Sequence, residues 1–258
     1  MAPSKTDPPS RQPFAIPLFP LRTVLFPGGV LPLKIFEQRY IDMAKSCLSG
    51  ELPFGTGSGT TTHSLPLFPL KTVLFPGGLL PLKVFEQRYI DMTKACLAQN
   101  RPFGVCLIVQ GEEVAAGPAG PPEIAPIGTL ARITDFDMPQ LGILHVATIG
   151  ETRFQVRKHT AQPNGLVVGE VTAMDAEPAR PLADEYKPLA QLLELIATRV
   201  GPQNFPADRA YDDASWVGYR LAELLPLPLH IKQTMLEVSD AEVRLKVLQK
   251  FLAQQGLL

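Results

Sequence analysis

Apolar residues along this chain come in short bursts separated by prolines and glycines. In the stretch PLFPLKTVLFPGGLLPLKVF, two apolar runs flank Pro76-Gly77-Gly78. Proline presets φ and glycine accepts positive φ, so the runs are expected as short strands meeting at a corner. The following FEQRYIDMTKACL places Phe85, Tyr89, Met92 and Cys96 at spacings of four, three and four, one face of a helix over roughly 86–98. Residues 103–109 (FGVCLIV) have the β-branched and aromatic content of a buried strand. The Gly/Pro/Ala stretch 115–122 is expected as a loop. Strands are expected over 127–133 and 143–149, joined by a loop over 135–142. Two more, over 153–158 and 166–171, are expected to pair across a loop that ends in the turn dipeptide Asn164-Gly165. Six or more short strands with proline corners indicate a small barrel or a sandwich.

Beyond about residue 181 the texture becomes helical. Leu189, Leu192, Leu193, Ile196 and Val200 form a stripe that Gly201-Pro202 ends. Asp212 or Asp213 can cap a second helix bearing Trp216, Val217, Leu221 and Leu224, and Pro226 and Pro228 break it. Ser239 with Glu242 reads as a capping box for a last helix, with Val243, Val247 and Phe251 facing inward. The fold class is α+β.

One further pattern is longer in range. Residues 17–48 and 66–97 are identical at 27 of 32 positions, at an offset of 49. The five differences are Arg22/Lys71, Val30/Leu79, Ile35/Val84, Ala44/Thr93 and Ser46/Ala95. Pro53-Phe54-Gly55 then matches Pro102-Phe103-Gly104, after which the first copy gives way to a polar stretch with the composition of a flexible linker. Solenoids and propellers need at least three units to bury a continuous core, so a partial duplication fits two copies better.

Composition narrows the class. The 258 residues carry 24 basic and 25 acidic side chains, for a net charge of −1, and no segment is strongly biased. Nucleic-acid binding rests on a basic face that neutralises phosphates, and none is built here. Cys47, Cys96 and Cys106 make neither a disulfide framework nor a CxxC pair, so free, buried thiols in a reducing compartment are expected. The N-terminus lacks the apolar segment of a secretory signal, and no run of about 18 apolar residues exists. The expected location is the cytoplasm.

The string PLFPLKTVLFPGGLLPLKVFEQRYIDM, followed by FGVCLI and GEEV, resembles the N-terminal substrate-binding domain family of Lon proteases. So do IGTLARI over 127–133, Gly150-x-x-Arg153-Phe154, and LAELLP over 221–226 with Lys232-Gln233. The resemblance covers nearly all of residues 64–254. It implies a PUA-like β-barrel followed by a C-terminal helical bundle, and a role in recognising unfolded or tagged polypeptide segments. The expected organisation is a disordered tail over 1–16, a partial copy of the barrel start over 17–55, and a flexible linker over 56–65. The barrel then spans 66–180 and the helical bundle 181–258. The two copies leave open homo-oligomers formed by domain swapping of residues 17–55. A Lon motor would need a GxxxxGK[ST] loop, whose spacing is absent, and no residues follow Leu258 to supply a Ser–Lys dyad, so no enzyme activity is expected.

Candidate chemistry is sparse. Gly55-Thr56-Gly57-Ser58-Gly59-Thr60 grazes a dinucleotide fingerprint, but Thr60 stands where the third glycine belongs, and Ser58 lacks the flanking glycines of a nucleophile elbow. His63, His145, His159 and His230 are far apart, so neither a metal nor a cofactor is expected. Glu86 and Arg88 could form an acid beside a cation, but first-turn placement and pairing across the barrel suit them better. Phe136, Met138 and Leu141 differ in kind, because apolar side chains on a loop between strands have little core to reach; they are the candidate peptide-binding residues. Three functions therefore compete: a polypeptide-binding module first, an RNA-binding PUA-like protein second, and a hydrolase last.

Overall fold

The computed structural model describes residues 18–19, 55–56, 62–113, 121–140, 142–201 and 205–256. The chain divides into two units, Met1–Thr60 and Thr61–Leu258. In the first, the described residues are two short strands, β1 (Leu18–Phe19) and β2 (Gly55–Thr56), which pair in parallel with Leu18 opposite Gly55 and Phe19 opposite Thr56. The rest of the first copy and the tail expected over 1–16 lie outside the described residues.

Among the described residues of the second unit, a seven-stranded sheet with one helix between its strands precedes a 3-10 turn and four α-helices. Its strands are β3 (Thr62–Leu70), β4 (Leu79–Val84), β5 (Phe103–Gln110), β6 (Glu123–Ile124), β7 (Ile127–Gln140), β8 (Ile143–Ala161) and β9 (Val167–Ala173). β3 pairs antiparallel with β9 and parallel with β5. The hydrogen-bonded path β3–β9–β8–β7–β5 therefore returns to the strand from which it started. β4 lies against β8 and β6 against β5. Because β3 begins at Thr62, the last residues of the polar stretch expected as a linker are paired, from Thr62 opposite Thr172 to Leu65 opposite Gly169.

Two strand boundaries differ from the sequence expectation. The segment expected as a loop over 135–142 is strand as far as Gln140, and the run expected over 153–158 continues the long strand β8. Residues with weak strand preference are held extended here because β8 supplies a partner along their length, from Ile133 opposite Thr148 to Gln140 opposite Ile143. The Pro76-Gly77 corner is where expected, between β3 and β4. Gly77 has φ +71°, its N–H donates to the Gly150 carbonyl at 2.7 Å, and the Gly150 N–H donates to Gly78 O at 2.8 Å. Gly150 has to be glycine, since a Cβ there would lie 2.1 Å from the Phe75 carbonyl oxygen.

Helix α1 (Gln87–Gln99) buries Tyr89, Met92 and Cys96 on the expected face, but Phe85 precedes the helix and is 57% exposed. Asn100, at φ 48°, ends it in the left-handed conformation that asparagine tolerates. Tyr89 stacks on Phe68 of β3, with ring centroids 4.0 Å apart.

A 3-10 turn (Asp184–Tyr186) leads into α2 (Lys187–Val200), followed by α3 (Ala214–Leu224), α4 (Leu229–Glu237) and α5 (Ala241–Gln254). Asp213 caps α3, its carboxylate accepting from the Trp216 N–H at 2.6 Å. Helix α4 was hidden by Pro226 and Pro228; Pro228 occupies its N-cap, so the proline that follows one helix opens the next. The cap of α5 is Asp240 rather than Ser239, accepting from Glu242 N at 2.8 Å. Its inward face is Ala241, Leu245, Leu248 and Leu252, whereas Val243 and Val247 are 50% and 41% exposed. The pattern misleads there because the inward face includes an arginine, Arg244.

The helices share a core with Phe75 of the corner and Leu107 of β5. Between sheet and helices lies a buried ion network. Arg244 Nη1 and Nη2 lie 3.0 and 2.6 Å from the Glu177 carboxylate, and Arg153 of β8 lies 3.2 Å from it. Arg244 Nε also donates to Met235 O at 2.9 Å, and Arg153 Nη1 to Leu236 O at 2.7 Å. The Tyr219 hydroxyl donates to Glu177 as well, and the Arg244 guanidinium sits 3.8 Å above the Tyr219 ring. Burial alone would raise the Glu177 pKa; the hydrogen bonds from Arg244 and Tyr219, with the charges of Arg244 and Arg153, outweigh it and hold the carboxyl below its ordinary value.

Candidate functional site

The ends of β7 and β8 form an arm whose exposure rises away from the core. Every residue of β7 from Thr134 to Gln140 is exposed, Phe136 by 56% and Met138 by 41%. Phe136 lies opposite Val146, which is buried, so the arm carries the core-facing side of the sheet out past the residues that would cover it. The third candidate, Leu141, lies outside the described residues. The arm thus brings Phe136 and Met138 onto one strand and does not fold them back onto the helices.

β4 lies on the other side of β8, and the three strands line a groove of about 470 Å³. Leu82, Val146 and Phe136 lie in one cross-strand row along it, and the exposed Pro81, Ala147 and Asp135 in the next, on the opposite face of the sheet. The register sets a charged row across the same strands, with Lys83 opposite His145 and His145 opposite Asp137. Asp135 accepts from the Phe136 N–H at 2.9 Å, and Thr134 Oγ1 donates to Ala147 O at 3.1 Å. Arg132 pairs with Glu151 at 2.7 Å at the base of the arm. Pairing of β7 with β5 runs from Val105 opposite Thr129 to Phe103 opposite Ala131. Among the described residues the outer edge of β7 beyond Ala131 has no strand partner.

The other candidates are structural. Arg88 lies 2.7 Å from Glu86 and donates to Gly165 O at 3.0 Å, which ties the start of α1 to the β8–β9 turn. Cys96 and Cys106 are buried, and burial pushes the Cys106 thiol up to about 12, so neither is poised as a nucleophile. Among the described residues no three His, Cys, Asp or Glu side chains are grouped to hold a metal ion. No described helix is long and apolar enough to cross a membrane. Sequence reasoning missed Glu177 and Arg244, whose ion network takes in Arg153 of the Gly150-x-x-Arg153-Phe154 run. They meet from separated segments, and no spacing signals it.

The described residues of the second unit form a mixed α/β fold that carries an apolar arm on β7 and β8. A family model described as the ATP-dependent protease La (LON) substrate-binding domain matches residues 15–57 and 64–254. The chain belongs to that family. The crystal structure of a Lon N-terminal domain protein from Xanthomonas campestris is 38% identical, covering 73% of this chain and 98% of that one, with a TM-score of 0.61. The N-terminal domain of the Mycobacterium avium complex Lon protease is similar in fold, with a TM-score of 0.51 at 21% identity, covering 74% of this chain and 98% of that one. No curated protein sequence matches the chain.

Proposed function

We propose that this chain is a non-catalytic module that captures unfolded or tagged polypeptide segments in the cytoplasm, and that they bind on the β7–β8 arm. The observation that carries the reading is the exposure of Phe136 and Met138 on a strand with one free edge. An extended segment adds to that edge through main-chain hydrogen bonds, and apolar side chains of the segment pack on Phe136 and Met138. Methionine's flexible thioether suits varied partners. The closed strand circuit supports reading residues 66–180 as a PUA-like barrel, with residues 181–258 as its helical bundle. RNA draws no support from an arm that carries Asp135 and Asp137.

The affinity is micromolar or weaker, because a small contact retains little after ordering costs. Replacing Phe136, Met138 and Leu141 together by alanine is expected to weaken binding of a labelled, reduced and unfolded model protein about tenfold. The melting temperature should stay unchanged, since the two described residues are exposed. Fluorescence anisotropy measures the first and calorimetry the second; equal affinities for parent and variant would rule the arm out. The purified chain is also expected to hydrolyse neither ATP nor casein, and turnover that survives stringent purification would contradict the non-catalytic reading.

A further inference from the structure

Residues 66–97, the second copy of the repeat, build most of β3, all of β4 and most of α1. The five positions at which the first copy differs can be placed in that setting. Lys71 and Ala95 are exposed and Leu79 is half-buried, and there the first copy has Arg22, Ser46 and Val30. Only Val84 and Thr93 are buried, where it has Ile35 and Ala44. One change adds a methylene; the other removes a methyl group and a hydroxyl that donates to Tyr89 O at 2.7 Å. The copies stay in step through the exposed residues 98–101 to Pro53-Phe54-Gly55, which repeats Pro102-Phe103-Gly104. Phe26-Pro27-Gly28-Gly29 repeats the corner that docks on Gly150 and whose Pro76 carbonyl accepts from Arg220 Nη2 at 2.7 Å.

Backbone register is a second, independent observation. In the unit Thr61–Leu258, β3 and β5 run parallel with Leu67 opposite Gly104 and Phe68 opposite Val105. In the unit Met1–Thr60, β1 and β2 run parallel with Leu18 opposite Gly55 and Phe19 opposite Thr56. Shifted by the repeat offset of 49, these are the same two pairings.

We propose that residues 17–55 are a working substitute for residues 66–104, so that the chain carries two N-terminal halves able to complete one sheet. In the intact chain the second half holds the slot. It runs directly into Cys106, Leu107 and Ile108, all buried in β5, whereas the first half runs into Thr56-Gly57-Ser58-Gly59. When the second half is damaged the first takes its place and the intervening residues leave as a loop, whose closure cost grows only slowly with length.

Phe75 is fully buried, so Phe75→Asp disables the second half. In the full chain this variant is expected to keep its near-ultraviolet circular dichroism and a cooperative melt, because Phe26 fills the position. Phe26→Asp alone should be silent, and the F26D/F75D double variant should not fold. Deleting residues 56–104 joins Gly55 to Val105 without a break in the repeat. That chain is expected to melt cooperatively, within roughly 10 °C of one lacking residues 1–63. The proposal is overturned if Phe75→Asp in the full chain is no better folded than F26D/F75D, or if the deletion gives no cooperative transition. The deletion decides alone should Phe75→Asp be tolerated without residues 1–63.

Discussion

Glu177→Ala is expected to cost about 3–5 kcal/mol of stability, the usual consequence of removing one partner from a buried ion pair. The variant leaves the Arg244 and Arg153 side chains, 0% and 3% exposed, without their carboxylate, and Tyr219 without its acceptor. A lower urea midpoint at unchanged slope would report a loss of stability rather than of compactness. The effect carries a pH signature. Glu177 titrates below its ordinary value in the folded state, so its contribution is complete above the ordinary glutamate range, near pH 4.3, and is lost as the pH falls through the folded value. The gap between parent and variant should therefore narrow from pH 6 to pH 3. A gap that stays constant would mean that the carboxylate's charge is not what holds the network.

Gly150→Ala is the second large effect. The added methyl group would stand 2.1 Å from the Phe75 carbonyl oxygen and 3.2 Å from Leu74 Cγ, so the corner has to lift off β8. Lifting it breaks the Gly77–Gly150 and Gly150–Gly78 hydrogen bonds, worth about 1 kcal/mol each, on top of overpacking that costs about 1–3 kcal/mol. The melting temperature should fall by roughly 5–15 °C at this size. Gly142→Ala is the contrast, because no atom lies within 4 Å of a Cβ there and only its φ of +85° resists. A Gly150→Ala melt no lower than that of Gly142→Ala would show that the corner is not seated on β8 as described.

What could be read in advance follows the range of the physical cause. Helix α1 and strand β5 were legible because their apolar period is local. The arm was not: Asp135, Asp137 and Pro139 read as loop, and only pairing with β8 holds them extended. The inward face of α5 was misjudged because Arg244, though polar, is fully buried by partners from elsewhere in the chain. Helix α4 was obscured by prolines that act as a start as readily as a stop. Of the candidate site, Phe136 and Met138 were visible as apolar residues in a polar stretch. Their strand, its free edge and the groove beside it depend on β4 and β5, which no local pattern around residue 136 reveals.

The return of the strand path to β3 also sets an order of events. β3 ends at Leu70, and the strand it faces ends at Ala173, so 103 residues must follow before its second edge can be covered. At a synthesis rate of about 5–20 residues per second, that interval is roughly 5–20 s. Throughout it, the edge of β3 from Thr62 to Leu67 stands without the β9 partner that covers it in the folded chain. Pairing of such high sequence separation is slow even for a finished chain. Closure of this sheet is therefore a late event, and the interval before it is when the nascent chain most needs chaperone protection.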